Sequence, residues 1–324
     1  MRQVSGVLVA LSLAGMCLIT STAGAVEFPT KRITITNMYA VGGGTDVVAR
    51  AIAQKLSEKW NVPVIVESRS GAGGTIAAGM IAKSPPDGYN LLITDVSYSI
   101  APSVYAKLQY DPIKDLQPVI LLNTVAQVMV VNPSVPVKTV AELVAYAKAN
   151  PKKLLYASAG IGSPNHLVAA EFCARAGIEM THVPYRGAVP ALTDVVAGRV
   201  NMYIGALASA VPFIMAGKLR ALAVMQKDRV PLLSDVPSIA DAGYSDIDSG
   251  SYYGILAPAG TPPEIVTKLN AAIKETLTTP ELKRTMATLD NDIVGAGPNE
   301  FEAFLRNDIE KWRKAAKIAG IKPQ

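Results

Sequence analysis

The chain has 324 residues, half of them apolar and 18% charged, which excludes a disordered protein and allows one large domain or two ordinary ones. Lysine and arginine number 31 against 26 aspartate and glutamate, a net charge of +5 without the basic stripe of a nucleic-acid binder, so no nucleic acid is expected as a partner. Two cysteines and two histidines cannot build a disulfide scaffold and offer little for a zinc centre; no cofactor or metal is expected.

Residues 1–25 open with Arg2, continue through an uncharged apolar run at 7–19, and end in Ala23-Gly24-Ala25. That is the layout of a secretory signal peptide cleaved after Ala25, which predicts a periplasmic mature chain. The apolar run is shorter than a membrane span requires. Cys17 lies inside that run behind the bulky Met16, which argues against a lipid-attachment site. Cys173 is then the only cysteine of the mature chain, on a helical pattern where a lone thiol serves as a small core residue. Residues 200–217 are also uncharged, but Asn201, Gly205, Ser209 and Pro212 mark a buried strand followed by a helix.

The mature chain alternates strand and helix signals. Residues 33–38 are a β-rich run ended by Gly42-Gly43-Gly44, after which Val48, Ile52, Leu56 and Trp60 recur at helical spacing. A strand at 63–67, a glycine turn at 71–74, a helix at 75–82 and a strand at 91–94 follow. Further strands are expected at 118–122, 127–131, 154–157, 180–183, 200–204, 220–224 and 252–257. Thr139-Val-Ala-Glu142 and Thr261-Pro-Pro-Glu264 read as capping boxes opening helices. This alternation predicts an α/β protein with mostly parallel sheets flanked by helices. So many strands suit two sheets better than one. Breaks near Asn123-Thr124 and at residues 248–251 predict a discontinuous first domain, 26–124 with 252–324, and an inserted second domain, 125–251.

Three glycine-rich turns sit between a strand and a helix: residues 39–46, 70–75 and 158–166. Each delivers backbone N–H groups and a positive dipole end to one place, which favours an anion. Glycine admits close approach of a ligand to the backbone. In such a fold these turns gather at the carboxyl ends of the strands, the usual ligand crevice; tight turning alone is the simpler explanation for any one of them. Neither Gly42-x-Gly44 nor Gly71-x-Gly73 completes a dinucleotide fingerprint, and no phosphate-binding P-loop occurs. No G-x-S-x-G motif is present either. His166 falls near the third position of a helix, where the dipole favours neutral imidazole and suits a donor role, structural or ligand-directed. His182 lies in an apolar strand-like run, as a core residue would. Asp46 opens the first helix as a cap or as a brace for its loop. Arg186 follows a strand end and could pair with a carboxylate.

In order and spacing, several of these motifs resemble the extracytoplasmic solute-binding proteins of tripartite tricarboxylate transporters, the Bug (Bordetella uptake gene) family. They include Phe28-Pro-Thr-Lys-Arg-Ile-Thr-Ile35, Gly42-Gly43-x-x-Asp46, Glu67-Ser-Arg-Ser-Gly-Ala-Gly-Gly74 and Ala82-x-Ser-Pro-Pro-Asp-Gly-Tyr89. Later matches are Gly160-x-Gly-Ser-x-x-His-Leu167, Val183-Pro-Tyr-Arg-Gly187, Gly217-Lys-Leu-Arg-Ala-Leu-Ala223, Asp235-Val-Pro-Ser-Ile-Ala-Asp-Ala-Gly243 and Ala257-Pro-Ala-Gly-Thr-Pro262. The resemblance implies a type II-like periplasmic binding protein whose two domains close over a small carboxylate and which is not an enzyme. It also implies a monomer that hands its ligand to inner-membrane permease subunits. Carried onto this chain, the family's binding loop points to Tyr39, Ala40, Gly42, Gly43 and Asp46, with Gly74 and Thr75 nearby. Ser97 and Tyr98 reach the same cleft from the turn at 94–98. The opposite wall is expected from Ser158, Gly160, Ser163, His166 and Tyr185. The chain departs from the family at Met38-Tyr39, Ser68-Arg69-Ser70 and Tyr185-Arg186-Gly187, and an aromatic wall of Tyr39, Tyr98 and Tyr185 would suit an aromatic or longer dicarboxylate. A receptor signalling to a membrane sensor, or a secreted hydrolase, are the alternative readings.

Overall fold

A computed structural model describes residues 27–247, 249–289 and 291–323; the expected signal segment lies outside them. The chain begins with β1 (Ile33–Asn37), α1 (Gly44–Trp60), β2 (Val64–Ser68), α2 (Thr75–Ile81), β3 (Asn90–Asp95), α3 (Val96–Val104) and β4 (Leu116–Val125). After Ala126 come β5 (Gln127–Val131), α4 (Val140–Ala149), β6 (Leu155–Ser158), α5 (Pro164–Ala176) and β7 (Thr181–Pro184). Then follow α6 (Ala188–Val196), β8 (Met202–Ala206), α7 (Leu207–Met215) and β9 (Arg220–Val224). The last elements are β10 (Ser251–Pro258), α8 (Pro263–Leu277), α9 (Pro280–Thr288), β11 (Asn291–Ala296) and α10 (Pro298–Ile318).

These strands make two sheets, ordered β11-β4-β10-β3-β1-β2 and β7-β6-β8-β5-β9. The α/β class and the division into two sheets match the sequence pattern, but the sheets are mixed where mostly parallel ones are expected. β1 runs parallel to β2 and β3, and β6 to β7 and β8. β10 returns from the second sheet and inserts between β3 and β4, antiparallel to both. β5 is likewise antiparallel to β8 and β9. The chain changes sheets at Ala126, not at Asn123-Thr124, because those two residues remain in register with Tyr253 and Tyr252 of β10. On the return, Ser249 N still donates to Met225 O of the second sheet, whereas Ser251 already pairs with Val125 of the first.

Local chemistry accounts for the elements. Val48, Ile52 and Leu56 of α1 are fully buried, and each such side chain contributes about 1.5–3 kcal/mol when withdrawn from water. The helix ends at Asn61, whose left-handed φ of 53° stops propagation. Thr139 caps α4 by accepting from Glu142 N. The second expected capping box does not form: Thr261 donates its hydroxyl to Pro258 O, and Pro262 takes the cap position of α8 without a side-chain bond. The sequence pattern misses β11, an edge strand with Asp292, Ile293 and Val294 all exposed.

α10 ties the two halves together. It packs on α3 and β4 of the first sheet and on α5 of the second, and its Phe301, Leu305 and Trp312 belong to a buried cluster that also holds Leu92, Leu143 and Phe172. Phe301 lies directly over Gly254 of β10, where an added Cβ would stand 2.2 Å from the ring.

Candidate functional site

A cavity of about 580 Å³ opens between the two sheets. Tyr39, beyond β1, forms the first-sheet wall together with Asp95 and Ser97 at the β3–α3 junction and Tyr105 after α3. The second-sheet wall is the turn at 159–163 between β6 and α5, continued by Pro164 and Asn165 and by Gly187 and Ala188 at the start of α6. Ile321 and Lys322, beyond α10, complete it. β1, β3 and β6 all deliver their carboxyl ends here, as expected for a ligand crevice in this type of fold.

The second wall is a glycine turn braced from behind. Gly160 and Gly162 have φ of 134° and 76°, conformations that favour glycine. The Ser163 hydroxyl donates to Gly160 O at 2.7 Å and caps α5 by accepting from His166 N. Asn165 is anchored by its side-chain amide, which donates to Ile204 O at 2.7 Å and to the Tyr203 hydroxyl. Pro164 has no N–H, and the N–H groups of Ile161 and Asn165 meet no protein acceptor among the described residues. At a helix N-terminus such groups suit an anionic ligand.

His166 stabilises this turn without entering the cavity. Its Nδ1 accepts from Gly162 N at 3.1 Å, so that nitrogen carries no proton, and burial holds its pKa below the usual histidine range. The imidazole is neutral, as its helical position suggests, and with Nδ1 accepting, its N–H donor is at Nε2. His182 lies half-buried on the edge strand β7 rather than in the core. Its ring stacks on those of His166 and Tyr156, and Nε2 meets Ser158 Oγ at 2.6 Å. Ser158 and His182 thus stand at nucleophile–base distance. Ser158 is nevertheless fully buried, does not line the cavity, and spends its hydroxyl on both backbone groups of Gly160; the pair shapes the turn.

The first wall is more polar. The Tyr39 hydroxyl donates to Asp95 Oδ1 at 2.9 Å, and Ser97 N donates to the same oxygen at 2.9 Å, making Asp95 the cap of α3. Enclosure raises the Asp95 pKa despite these bonds. Burial, reinforced by the neighbouring carboxylate, pushes the Tyr39 hydroxyl well above its usual range.

Of the residues expected at the site, Tyr39, Ser97, Gly160 and Ser163 meet in the cavity wall. Ala40, Gly42, Gly43 and Asp46 do not line it, because the first glycine loop is closed on itself. Gly42 N donates to Asp46 Oδ2 at 3.0 Å, and Arg50 holds the same oxygen. Burial disfavours the Asp46 charge, yet these bonds outweigh it and lower the pKa. Asp46 therefore braces the loop. Gly74 is buried against Met38, which leaves no room for a Cβ, and Thr75 faces a separate depression. The aromatic wall is also different. Tyr98 is fully buried, donates to Pro112 O at 2.6 Å and stacks on Tyr110, while the Tyr185 hydroxyl turns to Asp194 at 2.7 Å. Tyr105 stands in the wall instead. Ser158 and His166 support it from behind. Asp95, Asn165, Tyr105 and Lys322 were not singled out. Asp95 carries the plainest signal, a capping residue between a strand and a Ser97 two positions on. Arg186 is exposed, and burial pushes the Cys173 thiol up to about 12, leaving it unreactive at neutral pH.

A profile of the tripartite tricarboxylate transporter family receptors matches residues 48–321. The chain belongs to this family. BugT from Bordetella pertussis is 32% identical over 306 residues, covering 94% of each chain. Among solved structures, the R. palustris protein Rpa4515 with adipate is 37% identical with a TM-score of 0.82, covering 92% of this chain and all of its own. MatC from Rhodopseudomonas palustris with bound malate is 30% identical with a TM-score of 0.78, covering 89% of this chain and 99% of its own. The fold is that of a two-domain periplasmic solute-binding protein, and no helix among the described residues is long and apolar enough to cross a membrane.

Proposed function

We propose that this protein captures a small carboxylate between domain 1 (26–124 with 252–324) and domain 2 (125–251). It then delivers the ligand, as a periplasmic monomer, to the membrane subunits of a tripartite tricarboxylate transporter. The observation that carries this reading is the α5 wall, where unpartnered N–H groups of Ile161 and Asn165 border a cavity shared by both sheets. The adipate- and malate-bound relatives support a carboxylate as the guest. Domain closure follows if contacts to both walls are available only when they approach each other.

Thermal unfolding of the refolded mature chain, with adipate, malate, succinate, glutamate, citrate, nicotinate and terephthalate, tests this. A ligand at 100 times its Kd adds about 2.7 kcal/mol, a rise of a few degrees. Amines and sugars should leave the transition unmoved. A transition unmoved by every carboxylate would overturn the reading.

A further inference from the structure

α2 carries two faces within seven residues. Ala77, Ala78 and Ile81 turn inward and are buried, whereas Ile76 and Met80, one turn apart on the same side, stand 58% and 41% exposed. A groove of about 550 Å³ runs between that outer side and the segment 105–109 that follows α3. The buried Gly79 lines it, and a Cβ added there would touch Gln109 and Tyr110 at 3.7 Å. Leu108 extends the apolar wall. Lys83 and Lys107 border the same groove and are exposed. Neither forms a salt bridge among the described residues; Lys83 meets only Gln109 Oε1, at 3.5 Å. No aspartate or glutamate among the described residues lines the groove.

The groove adjoins the ligand cavity. Tyr105 borders both, and its hydroxyl would stand 2.9 Å from a Cβ placed on Gly73 of the cavity wall. Resting on the delivery reading, we propose that this groove docks a periplasmic segment of the transporter's membrane subunits, one that combines apolar and acidic side chains. Exposed aliphatic residues beside two unpaired cations are complementary to apolar residues flanked by carboxylates. Segments of membrane proteins outside the cytoplasm are poor in lysine and arginine, so they approach Lys83 and Lys107 without repulsion. A concave slot admits such a segment, whereas a flat lipid surface would leave Gly79 untouched. A partner that receives the ligand must also stand beside the cavity, and Tyr105 joins the groove to it.

Photo-crosslinking of the full chain in its native host tests the contact, with benzoylphenylalanine in place of Met80. Val189, 78% exposed at the start of α6, and Ile293 on the β11 edge are the comparison positions. The Met80 probe should capture a membrane subunit of the transporter, identified by peptide sequencing. Lys83→Glu with Lys107→Glu should cut that yield at least about tenfold, because like charges would then face each other; the paired arginine substitutions should preserve it. Neither pair lines the ligand cavity, so any carboxylate-induced thermal shift should survive both. A Met80 adduct with lipid, with a second copy or with any protein other than a membrane subunit overturns the assignment. So does a yield indifferent to charge reversal. If Val189 or Ile293 captures the subunits and Met80 does not, delivery stands and the groove is refuted. If no position captures them, the delivery reading fails as well.

Discussion

The rings of His166 and His182 lie face to face, their centroids 3.9 Å apart and their planes 9° from parallel, although one stands on a helix and the other on an edge strand. Two imidazoles so close resist being charged together. Burial, then the neighbouring His166, lowers His182 to about 4, and burial lowers His166 as well. The unfolded chain takes up these protons near the ordinary histidine pKa of about 6.5, so it binds more protons than the native state below that pH. Their contribution to stability is therefore complete above about pH 6.5 and lost as the pH falls towards 4. Allowing for the partial exposure of His182, the loss is on the order of 1–2 kcal/mol. Urea unfolding at pH 7 and pH 5 should show it, and His182→Gln should flatten the dependence. An equally steep profile in the variant would remove His182 from the account.

Gly254→Ala should be among the costlier single-methyl additions in this chain. The new Cβ would stand 2.2 Å from Phe301, within the seam between β10 and α10, and overpacking of this sort costs about 1–3 kcal/mol. Gly43→Ala is the matched control. Its φ is −76°, and an added Cβ meets nothing closer than Ala40 O at 3.9 Å. Denaturant midpoints should separate the two variants clearly; a Gly254→Ala chain as stable as wild type would mean that α10 can shift away without cost.

Tyr98→Phe removes a buried hydroxyl that donates to Pro112 O and leaves that carbonyl short of a partner. Stability should fall by about 0.5–1.5 kcal/mol. Affinity for any carboxylate that shifts the thermal transition should not change, since Tyr98 is absent from the cavity wall. Loss of affinity without loss of stability would return this tyrosine to the binding wall.

Asp46→Ala should destabilise by about 1–3 kcal/mol, because Gly42 N loses its acceptor and the Arg50 bond disappears. Asp46→Asn, which can still accept from Gly42 N, should be milder. Hydrogen exchange at Gly42 reads the same event locally: protection there should vanish in Asp46→Ala and survive in part in Asp46→Asn.

The fold was legible wherever burial imposes a period. α1 shows its apolar face at Val48, Ile52 and Leu56, and β9 its short buried run, so both were located from residue spacing. β11 was not, because an edge strand with exposed Asp292, Ile293 and Val294 has no buried face to write into the sequence. The strand directions were hidden for a different reason. β10 pairs with segments far from it in the chain, and nothing local encodes that return. At the site, the glycine turn before α5 announced itself, since Gly160 and Gly162 occupy conformations that other residues avoid. The first glycine loop looks the same on paper. Its amide is consumed by Asp46, a contact that a motif cannot reveal, and Asp95 passes for an ordinary cap until the cavity beside it is seen.

Val125, Ala126 and Gln127 carry the chain from one sheet to the other, while Ser251 pairs with Val125 on the way back. Because the two passages are hydrogen-bonded neighbours, any opening must turn about this ribbon and bend α10, which grips both halves. Measured affinity then depends on more than what touches the guest. Under the proposed closure, it is the intrinsic affinity diluted by the fraction of molecules already shut, so a substitution at Ala126 would tighten or loosen binding with every cavity residue left in place.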